Sequence, residues 1–398
     1  MSELVDSQKE LISLLKKAAQ TTLVAVDTEL VWEHTYYAKL GVVQIAFSEN
    51  NNAENAECYL IDATAVDMTA MGPLLANRDV TKILHDAIQD LAILKRATSV
   101  SPRKVFDTRV AAGFAGLMST ISLRDLLIAL FNIELDKTET RTDWLRRPLT
   151  NTQIGYALDD VRFLHAAHDE LVRRAQERGV EKWLYEEMAI LDEEKFYEER
   201  DPRQQFERIK GRGRLSRREL AILRELTAWR EREARSKNRP RGRVISDRML
   251  LLLAQRKPKE IEELSRLRIV HVGQLRSHGG AILSAVKQGL AISEKELPAP
   301  CPRYAYDEDF DELSRKAIEL LEQRSTEKGI DHALVATRSQ IRALVRDRAG
   351  VLHDQGICRP HHAARVGERA AVGQRIRIEG AGRGVRDLIV VGHRPCRV

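Results

Sequence analysis

The pattern of apolar and polar residues changes character near the middle of this chain. In the first half, short apolar runs alternate with helical spacings. Residues 23–26 form an uninterrupted apolar run that ends in Asp27, Thr28 and Glu29. A run of this length between polar residues predicts a buried strand. Residues 41–47, 58–62, 82–84 and 105–107 predict four more, with 49–54 as the turn between the second and third. Apolar residues spaced by three and four predict helices in the first twenty residues and over about 68–77, 87–97, 107–118, 122–130, 151–177 and 180–192. Strands first, then strands alternating with helices, specify an α/β domain: a mixed sheet with flanking helices.

A charge-rich stretch at 192–212 ends in the run from Lys210 to Arg214, and beyond it the pattern is helical throughout. Helices are predicted from Ser216 to Ser236, from Arg248 to Gln255 with Asp247 as cap, from Pro258 to Leu264, and over about 281–290 after Gly279 and Gly280. Pro298, Pro300 and Pro302 make a stiff linker to further helices at about 307–324 and 337–347. From Gly356 the helical period disappears; that stretch holds seven glycines, nine arginines and no lysine. No function is assigned to it. The chain of 398 residues is too long for one core. It divides into an α/β domain at 1–192, a linker at 193–214, all-α helical domains at 215–292 and 293–355, and an atypical basic tail at 356–398.

Charge follows the same division. Residues 1–200 hold 23 Lys and Arg against 33 Asp and Glu; residues 201–398 hold 42 against 26. An acidic half joined to a basic half suits carboxylates that bind metal in one part and cations that grip a polyanion in the other. No apolar run approaches the roughly 18 residues a membrane span requires. The four cysteines, Cys58, Cys301, Cys358 and Cys396, show no paired spacing and fit a reducing cytoplasm better than a disulfide scaffold or a zinc ribbon.

Candidate chemistry lies in three acidic places. Asp27 and Glu29 are two apart in a strand, so both point to one face. Two carboxylates on one buried face repel each other and lose hydration, and a cation or a raised pKa must compensate. Hard oxygen donors of this kind suit Mg²⁺ or Mn²⁺. Asp90 lies just inside a helix that follows a strand, with Asp86 as its rival one turn earlier. Tyr156 and Asp160, four apart on a helix, share a face. Singly, each of these features is common in proteins.

Their order and spacing resemble the DEDD superfamily of 3′→5′ exonucleases, in the branch with tyrosine in its third motif. Residues 24–29, Thr35 to Tyr37, 41–45, Lys82 to His85 with Asp90 and Leu91, and Phe106 to Thr108 are similar to the ribonuclease D family. So is the long stretch from Leu135 to Leu149 leading into Gln153 to Asp160. The resemblance covers about 1–190. Residues 215–292 resemble the helical HRDC module, and about 305–350 the start of a degenerate second copy. The tail departs from the family pattern.

The resemblance implies a ribonuclease H-like exonuclease domain in which Asp27, Glu29, Asp90 and Asp160 hold two divalent ions, Mg²⁺ or Mn²⁺, and Tyr156 orients the attacking water. It selects Asp90 over Asp86. It implies a cytoplasmic exoribonuclease acting on RNA, with tRNA precursors as the substrate class and nucleoside 5′-monophosphates as products. No obligate protein partner is evident, and a monomer is the default. Thr28 would line the site with its backbone, Gln44 would help position the strand pair, and His85 would be structural. Lys137, Arg141 and Trp144 are candidates for contact with the RNA 3′ end, Trp144 alternatively packing under the site. Arg212, Arg214, Arg217 and Arg218 open the basic half. Arg235, Lys237, Arg239, Arg241 and Arg243, grouped around Pro240, suit a phosphate-contacting loop. Trp229 is expected in the core. The rivals are a 3′→5′ DNA exonuclease and a nucleic-acid-binding protein whose nuclease domain is inactive.

Overall fold

A computed structural model describes residues 4–49, 56–135, 142–267, 272–300 and 308–348. The apolar runs of the first half form one sheet. Its strands are β1 (Leu4–Val5), β2 (Leu23–Val31), β3 (Lys39–Phe47), β4 (Glu57–Asp62), β5 (Thr81–Leu84) and β6 (Val105–Asp107), arranged in the order β1-β4-β3-β2-β5-β6. The central hairpins β2–β3 and β3–β4 are antiparallel, while β5 and β6 join parallel to β2. The sheet is therefore mixed, as the pattern predicts. The two-residue β1 is an addition; the N-terminal stretch was expected to be helical only.

Alternation along the strands separates two apolar layers. Val43 and Ile61 enter the main core, whereas Val42 and Leu60 enter a smaller cluster with Trp144, Leu149, Ala157 and Leu158. The helices are α1 (Gln8–Ala18), α2 (Gly72–Ala76), α3 (Ile88–Thr98), α4 (Thr108–Phe114), α5 (Leu123–Phe131), α6 (Asn151–Arg162), α7 (Leu164–Glu177) and α8 (Glu181–Ala189). The pattern at 151–177 predicts one helix, but the backbone breaks at Phe163 (φ −102°, ψ 0°). The break lets α6 cover the smaller cluster while Leu164, Leu171 and Ala175 of α7 enter the main core. A capping box between Thr150 and Gln153 starts α6.

Two details of β2 place the site. The strand runs on to Val31, so Asp27 and Glu29 lie within it, not at its end. Its neighbour β5 pairs only with Leu23–Ala25, so β2 outruns β5 where the two acids begin. On the other side, the register slips between Glu29 and Leu30, which skips Gly41 on β3. A Cβ at Gly41 would stand 2.5 Å from the Trp144 carbonyl oxygen, so only glycine admits the loop before α6 this close to the strand. Arg147 fastens that loop, donating to the Gly41 carbonyl (2.9 Å) and to Asp62 (2.6 Å).

The second half is helical. Residues 193–214 were expected to form a linker, but they fold into short 3₁₀ turns, and Phe206 and Ile209 enter the second core. That core is built from α9 (Arg217–Ser236), α10 (Arg241–Val244), α11 (Asp247–Arg256), α12 (Ile261–Arg266) and α13 (Val272–Ala291). Ser246, not Asp247, caps α11. Helix α13 continues through Gly279 and Gly280, where a break was expected, and Gly279 packs against the end of the Ile261 side chain. Trp229 is partly buried against this core. A third group, α14 (Glu308–Glu327), α15 (His332–Val335) and α16 (Arg338–Arg348), closes around Phe310, Leu321, Ile341 and Val345. It docks on the first domain: Asp331 accepts from the Ser119 N–H (2.6 Å) and hydroxyl (2.7 Å), and Leu334 packs against Gly113. The tail from Gly356 lies outside the described residues.

Candidate active site

Three elements converge where β2 outruns β5. Strand β2 supplies Asp27 and Glu29, and α6 supplies Tyr156 and Asp160. Oxygen atoms of Asp27, Glu29 and Asp160 all lie within 4.8 Å of one another, the group of at least three ligand-type side chains found among the described residues. Helix α3 supplies Asp90, whose carboxylate accepts from the Thr28 hydroxyl. Thr28 was expected to line the site through its backbone; its side chain is also engaged. The loop before α3 is held by Asp107, which accepts from the backbone N–H groups of Asp86 (3.0 Å) and Ala87 (2.9 Å). Asp107 was missed by sequence reasoning, although a carboxylate at a strand end ahead of a helix is an ordinary capping signal.

The neighbours of these acids have other partners. Asp86 pairs with Arg109, and Asp159 pairs with Arg162 at 3.1 Å. His85 is engaged on both ring nitrogens, by the Thr108 hydroxyl (2.9 Å) and the Ile121 carbonyl (3.1 Å). It has a structural place there, as expected.

Electrostatics set the four acids apart. Burial, then the charges of Asp90, Asp160 and Glu29, hold the Asp27 carboxyl well above the usual carboxylate range. Burial, Asp160 and Asp90 push Glu29 up to about 8. Burial, Asp159 and Asp90 push Asp160 up to about 7. Asp90 is raised to about 6, chiefly by burial, with the Thr28 hydrogen bond opposing the shift. Among the described residues no Lys or Arg forms an ion pair with any of the four. Like charges brought together without a counter-charge fit a divalent cation that prefers oxygen, and the donor set contains nothing softer. Burial and the acids also raise the Tyr156 phenol, which therefore keeps its proton at neutral pH.

The expected RNA contacts fare differently. Trp144 is only 4% exposed and sits in the cluster beneath the site, 6.2 Å from the Tyr156 ring. It supports Tyr156 and offers no stacking face. Lys137 and Arg141 lie outside the described residues. Of the loop around Pro240, Arg235 donates to the Tyr36 hydroxyl (3.1 Å) and the Arg200 carbonyl (2.8 Å). Arg241 donates to Glu231 (2.6 Å) and Tyr36 (2.7 Å), and Lys237 pairs with Glu233. Arg235 and Arg241 serve the junction between the first two domains, where buried Glu231 needs compensation, whereas the Lys237 pair stays within α9. Asn238 completes the junction by accepting from the N–H groups of Tyr36 (3.1 Å) and Tyr37 (3.0 Å). Arg239 remains exposed on the loop and Arg243 on α10 just after it. The junction roles of Tyr36 and Tyr37 were missed; no local pattern reports a contact across 200 residues.

Comparison with known proteins agrees with this geometry. A family model described as 3′-5′ exonuclease matches residues 2–176, and one for the HRDC domain matches 219–286. Ribonuclease D of Desulfotalea psychrophila is 38% identical over 86% of this chain and 90% of its own length. That of Nitrobacter hamburgensis is 37% identical over 74% of this chain and 76% of its own. The crystal structure of Escherichia coli RNase D, an exoribonuclease involved in structured RNA processing, superposes with a TM-score of 0.78 at 26% identity, covering 90% of this chain and 93% of that one. With an acid cluster on a mixed sheet, a helical module behind it and relatives matched along most of their length, this chain belongs to the ribonuclease D family of 3′→5′ exoribonucleases.

Proposed function

We propose that this protein is a divalent-metal-dependent exoribonuclease that trims the 3′ ends of tRNA precursors and other structured RNA, releasing nucleoside 5′-monophosphates. The observation that carries this reading is the meeting of the Asp27, Glu29 and Asp160 oxygens within 4.8 Å, with Asp90 tied alongside through Thr28. In this reading the four carboxylates hold two ions, Mg²⁺ or Mn²⁺. Bound there, such ions supply Lewis-acid stabilisation of the charge that builds on the attacked phosphate and the departing oxygen.

The chain's own groups do the rest. Tyr156, protonated and held over Trp144, orients the attacking water by a hydrogen bond. Thr28 fixes the Asp90 carboxylate, and Asp107 fixes the loop that delivers it. Arg239 on the α9–α10 loop and Arg243 on α10, both exposed, supply phosphate contacts to the body of a folded RNA. Aromatic side chains are absent from that loop, which favours recognition by shape and charge over base readout.

The test is a time course with 5′-labelled, 3′-extended tRNA in Mg²⁺ or EDTA, with a matched DNA strand beside it. Stepwise, metal-dependent shortening of the RNA alone is expected. Equal shortening of the DNA would shift the reading to a DNA exonuclease. No shortening of either, with RNA still bound, would leave a nucleic-acid-binding protein with an inactive nuclease domain.

A further inference from the structure

Gln44 lies in the middle of β3, is fully buried, and has neither side-chain polar atom hydrogen-bonded among the described residues. Such a group is uncommon in a folded core, because an amide removed from water without partners loses its hydration for nothing. Its surroundings show where a partner must come from. In register, Gln44 stands opposite Asp27 on β2 and opposite Leu60 on β4. Directly opposite residues of an antiparallel pair share a face, with Cβ atoms about 5 Å apart. Along its own strand the same face carries Val42 and Ala46, and Ala157 and Leu158 of α6 belong to the cluster formed with Val42 and Leu60. Of the residues directly opposite, only Asp27 has a polar side chain; Glu29 and Asp62, both opposite Val42, are the polar diagonal neighbours, and Asp62 is already engaged by Thr64 and Arg147.

Another buried glutamine shows what a purely structural role looks like. Gln153, at the start of α6, donates to the Thr142 hydroxyl (2.9 Å) and accepts from the Thr150 N–H (2.9 Å). Both ends of its amide are used. Gln44 has no such local work, and it faces an acid cluster without a paired cation.

We propose that Gln44 is a positioning residue for the divalent-ion site: unpartnered among the described residues of the metal-free chain, its Nε2–H donates to the Asp27 carboxylate once that carboxylate turns to ligate a cation, and so fixes the orientation in which Asp27 holds the ion. The inference rests on the metal-dependent reading above. A ligand carboxylate whose other oxygen is hydrogen-bonded is held in one rotamer, so binding the ion costs it less freedom. Gln44 touches neither the RNA nor the reacting atoms in this account.

The test measures Mn²⁺ affinity of the full chain by titration calorimetry without RNA, then kcat and KM on a 3′-extended RNA at low and high Mn²⁺, and the melting temperature without metal. The variants are Gln44→Met, which keeps volume and removes the donor, and Gln44→Asn, which keeps the donor but withdraws it by one methylene. Gln44→Met is expected to bind Mn²⁺ about 10–100-fold more weakly. Its kcat should fall at low Mn²⁺ and recover as Mn²⁺ is raised, with KM for RNA unchanged and the metal-free melting temperature equal or higher. Gln44→Asn should fall between Gln44→Met and the wild type, and it decides the matter if the methionine variant does not fold. Mn²⁺ affinity within twofold of wild type in a folded variant overturns the inference. A wild-type protein that binds no Mn²⁺ overturns the metal-dependent reading itself, so the two failures are distinguishable.

Discussion

Two regions of this molecule withdraw carboxylates wholly or partly from water, and they treat them in opposite ways. On α9, Glu225 and Glu231 are almost wholly inaccessible, and each meets arginine: Arg203 (3.1 Å) and Arg224 (3.2 Å) at Glu225, Arg241 (2.6 Å) at Glu231. On the sheet, Asp27, Glu29, Asp90 and Asp160 crowd together with no arginine or lysine paired to them among the described residues. Burial of a charge is costly in both places. In the helical module the cost is met within the chain, and the result is a joint: the Tyr36 hydroxyl donates to Glu231 (2.9 Å) and ties the two domains together. On the sheet it is left open, and the result is a site. Buried acid alone therefore signals nothing; several acids crowded together without an internal counter-charge signal a ligand.

Substitutions sharpen the contrast. The largest effect is expected from Asp27→Ala, which should lower kcat on RNA by roughly 10³-fold or more, since several kcal/mol of charge stabilisation depend on the ions it helps hold. Circular dichroism should show an intact fold; an unfolded variant would make Asp27 structural like Glu231. Tyr156→Phe comes next, with kcat reduced about 10²-fold and Mn²⁺ affinity unchanged, because only the orienting hydroxyl is lost. Unchanged turnover would remove Tyr156 from the reaction. Glu231→Ala should do the reverse of the first variant: denaturant unfolding should show a loss of roughly 2 kcal/mol, while cleavage of short single-stranded RNA stays near wild type. The smallest effect belongs to Arg239→Ala and Arg243→Ala. Each should reduce by about one the slope of log affinity against log salt for folded RNA. A slope that does not move would mean these arginines do not touch phosphate.

How much of this was written in the sequence depends on the range of the interaction concerned. Apolar runs placed β2 to β6, because each strand reports its burial locally. Spacing suggested the acid pairs Asp27 with Glu29 and Tyr156 with Asp160, since strand and helix periods are fixed. Whether those pairs and Asp90 meet was not legible from periodicity; it follows from β5 being shorter than β2 and from the break at Phe163. The basic loop shows the same limit in reverse. Nine residues rich in cations looked like one phosphate-binding surface, yet Arg235 and Arg241 turn inward to Tyr36, some 200 positions earlier. Trp144 stayed open between contact with RNA and packing under the site, for want of any local sign that Gly41 lets its loop sink against β3.

The central claim is that the sheet acids are held together against their own repulsion for a cation to use. Their raised folded-state values set the sign. An acid whose folded pKa lies above its unfolded one destabilises the metal-free fold as pH rises from the unfolded value, near 4, through the folded values of about 6 for Asp90, 7 for Asp160 and 8 for Glu29. Melting temperatures of the metal-free wild type and of Asp160→Asn, compared at pH 5 and pH 8 beside their turnover, test this directly. The account predicts that Asp160→Asn melts higher than wild type at pH 8, that the gap narrows at pH 5, and that its turnover is lost. A variant that melts lower at pH 8, or that still turns over RNA at the wild-type rate, would contradict it.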